Sequence, residues 1–131
     1  MIDKRERVYQ AFGAFLADYV RDLNQRAEEG WVLLVEGARD ESAMRTLGYR
    51  GRLLTVRLAV RMRGPGLGGQ YKVMILTDLD REGTSLAAKL VRRLSHEGVR
   101  ASLVERRRLK AASRGVFLHV ENLSRFAKAE D

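Results

Sequence analysis

The most informative stretch of this chain is Val73-Met-Ile-Leu-Thr-Asp78-Leu-Asp80-Arg-Glu-Gly83. An apolar run long enough for a buried strand ends in two aspartates that are separated by one residue. On an extended backbone this spacing directs both side chains to the same side. Two carboxylates so close together repel each other unless a cation lies between them, and hard oxygen ligands favour Mg²⁺ or Mn²⁺. The stretch therefore predicts a strand that ends at a metal site.

A second run, Trp31-Val-Leu-Leu-Val35, has the same form, because it is apolar, of strand length and followed at once by Glu36. Strands that are apolar on both faces and alternate with helices are typical of a parallel sheet covered by helices. Ligands of such sheets gather at the carboxyl ends of the strands. If the two strands are neighbours, Glu36, Asp78 and Asp80 converge on one site that can bind one or two divalent ions.

Hydrophobic periodicity and the positions of glycine predict the remaining elements. Helices are predicted over residues 3–29, 40–47, 83–95 and 106–113. Strands are predicted over residues 31–35, 53–58, 72–77, 99–104 and 116–120. The Gly-rich stretch 64–69 is predicted to be a loop. The fold class is therefore α/β, a parallel four-stranded sheet sandwiched by helices, with an extra N-terminal helix and a C-terminal strand.

The composition is typical of one folded domain, with 131 residues, 45% hydrophobic, 32% charged and a net charge of +8. No apolar stretch approaches the about 18 residues of a membrane span, and no apolar signal segment follows the charged N-terminus. Cysteine is absent, which excludes disulfides, thiolate catalysis and cysteine-based zinc sites. We therefore expect a cytoplasmic protein without membrane contacts.

Arginine outnumbers lysine by 20 to 5 in this basic chain. The planar guanidinium suits bidentate phosphate contacts, so the composition predicts a nucleic-acid partner, with a merely solvated surface as the alternative. One cluster is the best candidate for contacts to a nucleic-acid backbone, unless it forms a solvated helix face. The cluster consists of Arg106, Arg107, Arg108, Lys110 and Arg114.

The motifs Leu34-Val-Glu36-Gly37 and Ile75-Leu-Thr-Asp78-Leu-Asp80-Arg81-Glu-Gly83, in this order, resemble the two motifs of the Toprim domain. That domain is shared by type IA and type II topoisomerases, bacterial-type primases, ribosomal-RNA maturation nucleases and recombination proteins. The resemblance covers about residues 30–121 and is greatest to small stand-alone archaeal Toprim proteins related to the maturation-nuclease branch. It implies a Rossmann-like Toprim domain over that range, with 1–29 as a helix packed on or beside it and 122–131 as a tail.

The resemblance also implies roles for individual residues. Glu36 and Asp78 would act in catalysis, with Glu36 as acid or base. Glu36, Asp78 and Asp80 would bind Mg²⁺, with Mn²⁺ as a substitute, and the metal would offset charge on the attacking or leaving oxygen of a phosphodiester. Arg81 would contact a phosphate or form a surface ion pair. Asp40 fits a helix cap better than a metal ligand.

These expectations lead to two hypotheses about function, an enzyme and a binding module. The enzyme is a Mg²⁺-dependent endonuclease that processes nucleic acid, RNA rather than DNA. The alternative is a metal-binding Toprim module that binds nucleic acid as part of a larger complex, without strong activity alone. A protein partner or a homodimer fits either. Strand passage and priming are not expected, because the sequence leaves no room for the further domains that they need. Neither His96 nor His119 is expected at a metal site, because they are far apart and lack ligand spacing.

Overall fold

The computed structural model describes residues 3–61 and 72–127 of the chain. The predicted loop 64–69 and the last residues of the predicted tail lie outside these ranges. Helices and strands alternate along the chain. They are α1 (Lys4–Glu28), β1 (Trp31–Val35), α2 (Ala38–Thr46), β2 (Leu53–Thr55), α3 (Val56–Arg61), β3 (Lys72–Leu76), α4 (Arg81–His96), β4 (Arg100–Ser102), α5 (Val104–Ser113) and a C-terminal 3₁₀ helix (Val120–Phe126).

The four strands form one parallel sheet in the order β2-β1-β3-β4. The chain leaves β1 for β2 in one direction and leaves β3 for β4 in the other. The strand order therefore reverses between β1 and β3, and ligands of open α/β sheets bind at such a switch point. The predicted fold class, an α/β protein with a four-stranded parallel sheet flanked by helices, is confirmed.

Alternate residues of the two central strands supply the two faces of the sheet. Leu33 and Met74 pack in a cluster with side chains of α1, α2, α5 and the 3₁₀ helix. Val32 and Val73 pack in a second cluster with side chains of α3 and α4. Because helices cover both faces, these strands are continuous apolar runs rather than alternating ones.

Helix α1 packs on the sheet and shares its core. Its cap is Asp3, whose carboxylate accepts the Glu6 N–H at 2.8 Å. The Tyr19 hydroxyl donates to the Glu105 carbonyl oxygen at 2.7 Å and joins α1 to α5. Each large apolar side chain contributes about 1.5–3 kcal/mol when it is buried. The buried residues of α1 are Phe12, Leu16, Tyr19, Val20 and Leu23. Within the described part of the chain, no helix is long and apolar enough to cross a membrane.

Strand β2 is shorter than the predicted strand 53–58. Residues 56–58 instead begin α3, because the Thr55 hydroxyl oxygen accepts the Leu58 N–H at 3.3 Å and caps the helix. The β-branched residues Thr55 and Val56 favour a strand in the sequence pattern, which explains the error.

The predicted C-terminal strand over residues 116–120 is wrong. Residues 116–119 pass across the carboxyl end of the sheet without joining it, and the 3₁₀ helix follows. The Leu118 carbonyl oxygen accepts the Leu79 N–H at 2.7 Å, so it serves the turn after β3 rather than a strand ladder. Part of the predicted tail belongs to the core, because Leu123 is buried among the side chains of α1 and α2.

Candidate metal centre

The predicted carboxylates meet where β1 and β3 end. Val35 is in register with Leu76, so Glu36 and Asp78 leave neighbouring strands at nearly the same level. The Asp78 N–H donates to Glu36 Oε1 at 3.1 Å. The structure thus places Glu36 beside the Asp78 backbone, whereas no Glu36 oxygen belongs to the close group of ligand atoms around Asp78 and Asp80.

One oxygen of each aspartate is fixed by the backbone. Asp78 Oδ1 accepts the Val120 N–H at 2.8 Å, and Asp80 Oδ1 accepts the Gly83 N–H at 2.7 Å as the cap of α4. The other oxygen of each faces His119, whose Nδ1 lies 3.5 Å from Asp78 Oδ2 and 3.8 Å from Asp80 Oδ2. One ligand atom from each of these three residues lies within 4.8 Å of the other two. Ligands bound to one small cation at about 2.1 Å lie about 3–4 Å apart, so the group has the right size for a metal ion.

His119 is the residue that sequence reasoning missed. Its side chain is 48% exposed and completes the group with Asp78 and Asp80, whereas the sequence predicted no histidine there. The contact depends on the path of residues 116–119 across the end of the sheet, which spacing along the chain does not reveal. The available signal was a histidine inside an apolar run, a costly position for a polar ring unless it has a partner.

Arg106 lies beneath the site and not on the surface. It is 6% exposed. Its Nε donates to Thr77 Oγ1 at 3.1 Å, and its Nη2 donates to the Asp78 carbonyl oxygen at 2.7 Å and to Thr84 Oγ1 at 2.9 Å. These donors are used inside the protein, so the expectation that Arg106 contacts nucleic acid is wrong. Its position instead fixes the backbone of the turn after β3.

The site combines several carboxylates with this buried cation. Burial lowers the pKa of the Arg106 guanidinium, while the charges of Asp80, Glu36 and Asp78 act to raise it. Burial raises the pKa of the Glu36 carboxyl, the hydrogen bond from the Asp78 N–H opposes that rise, and the charges of Asp78, Asp40 and Asp80 add to it. A carboxyl with a raised pKa is better suited to exchange a proton near neutral pH than an ordinary glutamate.

The turn after β3 is packed so closely that only glycine fits at its end. A Cβ at Gly83 would overlap the carbonyl group of Asp78. The buried Thr77 hydroxyl donates to the Gly83 carbonyl oxygen at 2.6 Å, and this bond also holds the start of α4 close to the end of β3. This close contact lets Asp78, Asp80 and the start of α4 share one compact turn.

Asp40 has the role of a helix cap, as predicted. Its Oδ2 accepts the Gly37 N–H at 3.1 Å from the third position of α2. The helix consequently begins at Ala38, two residues before the predicted start. Burial, followed by the charge of Asp78, raises the pKa of the Asp40 carboxyl.

Known proteins with similar sequences are UPF0292 proteins. One from Pyrococcus abyssi is 38% identical over 92 residues, which is 70% of each chain. Another, from Thermococcus sibiricus, is 34% identical over 109 residues, or 82% of each chain. The chain belongs to the UPF0292 family. A solved structure described as a putative protein from Aquifex aeolicus matches with a TM-score of 0.65 and 25% identity, covering 80% of this chain and 94% of that chain. No protein-family model matches.

The other basic residues predicted to bind nucleic acid are exposed in this UPF0292 protein. Arg108 is partly engaged, because it pairs with Asp22 at 3.1 Å and lies over the Tyr19 ring at 5.5 Å, which ties α5 to α1. Arg81 begins α4 beside Asp80, and the other exposed basic residues lie along α5 and at its end. The full set is Arg81, Arg107, Arg108, Lys110 and Arg114.

Proposed function

We propose that this UPF0292 protein is a divalent-metal-dependent phosphodiester enzyme of Toprim type, an endonuclease that processes RNA. The observation that carries the proposal is the meeting of Glu36 with Asp78 and Asp80 at the switch point of a parallel sheet. The motifs around these residues resemble those of the Toprim domain, and metal-bound carboxylates are a common means of phosphodiester chemistry. A cytoplasmic location is part of this proposal.

The donor set fits a small divalent cation. Asp78 and Asp80 each present one oxygen that accepts no N–H of the described backbone, and His119 adds a ring nitrogen. These three residues would hold one ion, and Glu36, which accepts the Asp78 N–H, lies beside them without belonging to the group. Oxygen ligands suit both Mg²⁺ and Mn²⁺, whereas the imidazole of His119 favours Mn²⁺, the transition metal of the two. We therefore infer that Mn²⁺ binds more tightly than Mg²⁺, although Mg²⁺ also fits the site.

Each group has a separate part in the chemistry. When bound, the metal supplies positive charge at the phosphodiester. Glu36 holds the Asp78 N–H through Oε1, which leaves Oε2 to take a proton from the attacking water or to give one to the leaving oxygen. Arg106 keeps the Asp78 backbone in place from below. Arg81 and the exposed basic residues of α5 are candidates to bind phosphates along the strand.

The test is cleavage of labelled structured RNA, and of DNA with the same sequence, with Mg²⁺, Mn²⁺ or EDTA. We expect metal-dependent cutting of RNA that falls about 100-fold or more in Glu36→Gln and in Asp78→Asn. Asp18→Asn, which removes an exposed carboxylate of α1, serves as the control and should cut like the unaltered chain.

Two results would contradict the proposal in different ways. Cleavage that persists in both site variants would show that the assigned residues are not the active ones. Salt-sensitive RNA binding without any cleavage would favour the alternative, a metal-binding module that works within a larger complex.

A further inference from the structure

A groove of about 430 Å³ opens beside the acidic site, between the first turns of α1 and residues 116–119. We call it the His119 groove, because His119 lines it at the end nearest the site. Its volume falls in the range of about 300–1,000 Å³ that is usual for small-ligand pockets. Another cavity, of about 770 Å³, lies between α1 and α2 and shares no residue with the acidic site. Of these two cavities, the His119 groove is the one that adjoins the acidic site.

The groove is continuous with the proposed metal centre. His119 lines the groove, and its Nδ1 lies 3.5 Å from Asp78 Oδ2. A strand whose phosphodiester lay at the aspartates would have its adjoining nucleotide at this opening.

The walls of the groove expose apolar surface. Tyr9, Val116 and Leu118 are 40%, 52% and 39% exposed and are three of the five large hydrophobic side chains that the described chain leaves on its surface. Tyr9 is held from behind, because its ring packs on Phe126 with the centroids 4.4 Å apart and against Phe117 at 6.1 Å. A rigid, partly exposed aromatic ring is the surface on which an unpaired base stacks. Exposed apolar patches of this kind commonly mark binding surfaces.

Two arginines flank the apolar walls. Arg5 and Arg125 both line the groove and are exposed. The ion pairs found among the described residues include neither of them. Two guanidinium groups beside an apolar floor are complementary to a nucleotide, which joins a flat base to an anionic phosphate.

We propose that the His119 groove binds unpaired nucleotides of the RNA strand next to the phosphodiester at the acidic site. This inference rests on the proposed function and adds the form of the substrate, which is single-stranded where it enters the site. A base-paired duplex keeps its bases stacked on each other and offers no free base face to Tyr9. Recognition in the groove therefore selects loops, bulges or ends.

The experiment measures binding of fluorescein-labelled RNA by anisotropy in EDTA, so that metal-dependent cleavage plays no part. The two probes are a single-stranded 12-mer and a blunt duplex of the same sequence. We expect the single strand to bind more tightly, and Tyr9→Leu to weaken its binding by about tenfold, the effect of losing one base–aromatic stack. Tyr9→Phe keeps the ring and should bind the single strand more tightly than Tyr9→Leu does.

Charge variants keep the proposal testable even if Tyr9→Leu folds poorly. Arg5→Gln and Arg125→Gln should each weaken single-strand binding. Each should also make the fall of log K with log salt concentration less steep, by about 0.7 in the slope. The matched control is Arg7→Gln, because Arg7 is exposed on the same helix but lies about 200° around it from Arg5. It should alter binding less than Arg5→Gln does.

Three results would overturn the groove assignment. The first is tighter binding of the duplex, and the second is an equal loss in Arg5→Gln and Arg7→Gln. The third is a dimer in solution that dissociates in Val116→Ser, which would assign the apolar wall to a second copy of the chain. None of these touches the cleavage test of Glu36 and Asp78, so the proposed function can stand when the groove assignment fails.

Discussion

The two turns that form the site are built differently, although each follows a central strand and each carries carboxylates. In the turn after β3, backbone N–H groups fix one oxygen of Asp78 and one of Asp80, and Arg106 binds the backbone from below. In the turn after β1, Gly37 has an extended backbone, and no described atom lies within 4 Å of a Cβ placed on it. Glu36 there is held through a single oxygen.

This difference separates two tasks. Metal ligands must be held in place, because a cation binds well only when its ligands are already oriented. A group that transfers protons needs an adjusted pKa and room for the substrate. The β3 turn supplies the fixed metal ligands, and the β1 turn supplies the group that transfers protons. The following variants test this division, beginning with the largest expected effect.

The same substitution in both turns should give opposite results. Gly83→Ser should lower the free energy of unfolding by about 3 kcal/mol or more, because its Cβ overlaps the Asp78 carbonyl group and the start of α4 must move. Gly37→Ser should change it by less than about 0.5 kcal/mol, because serine is a good N-cap and the space is open. Urea unfolding measures both. Equal losses would mean that the β1 turn is as closely packed as the β3 turn.

Replacing the buried arginine should come next in size. Arg106→Met should cost about 2–4 kcal/mol, since it leaves the Asp78 carbonyl oxygen and nearby carboxylates without their cation. Arg107→Met, one residue further along α5 and exposed, should stay within about 0.5 kcal/mol. Thermal and urea unfolding at neutral pH check the pair. A similar loss in both variants would show that Arg106 is not specially placed.

His119 provides a smaller test on the β3 side. His119→Ala should weaken Mn²⁺ binding about tenfold and change Mg²⁺ binding much less, because imidazole is a better ligand for transition metals. Isothermal titration of each metal gives both affinities. His96→Ala, in the last turn of α4, is the matched histidine control. A parallel loss for both metals would mean that His119 acts on the shape of the site and not as a ligand.

Replacing Glu36 should give the smallest change in stability, and this change should be a gain, because the β1 turn holds a carboxylate whose charge is unfavourable in the fold. Burial raises the pKa of the Glu36 carboxyl in the folded chain. The free energy of unfolding is therefore highest below the pKa of the unfolded chain and falls as the pH rises through the folded pKa. Without metal, Glu36→Gln should therefore be more stable than the unaltered chain at pH 7, by less than about 1 kcal/mol given the partial exposure of the site. The gain should vanish below about pH 4. Melting temperatures across pH 3–8 test this, and a loss at pH 7 would contradict it.

The parts of the site that depend on local sequence were predictable. The strand-to-carboxylate transitions at Glu36 and Asp78 can be read from the chain, because an apolar run and the residue that follows it are neighbours in sequence. The parallel order then places them together. Arg106 and His119 were misread for the opposite reason, since their positions depend on how α5 and residues 116–119 pack against the end of the sheet.

The errors in secondary structure have the same origin. Residues 116–119 are apolar enough for a strand, but the Leu118 carbonyl oxygen accepts the Leu79 N–H of the turn after β3, and the Val116 N–H donates to the Ser113 carbonyl oxygen. Gly83 shows the converse case, because glycine in the sequence indicates a possible close approach but does not name the Asp78 carbonyl as the neighbour. Only the folded chain supplies the partner.

The most direct measurement is the anomalous scattering of crystals soaked in Mn²⁺, with Asp78→Asn crystals as the control. We predict one strong peak within about 2.5 Å of Asp78 Oδ2 and Asp80 Oδ2, with His119 Nδ1 beside it, and no peak in the variant. A peak at other carboxylates, or none in crystals of the unaltered chain, would contradict the claim that the turn after β3 and His119 form a metal centre.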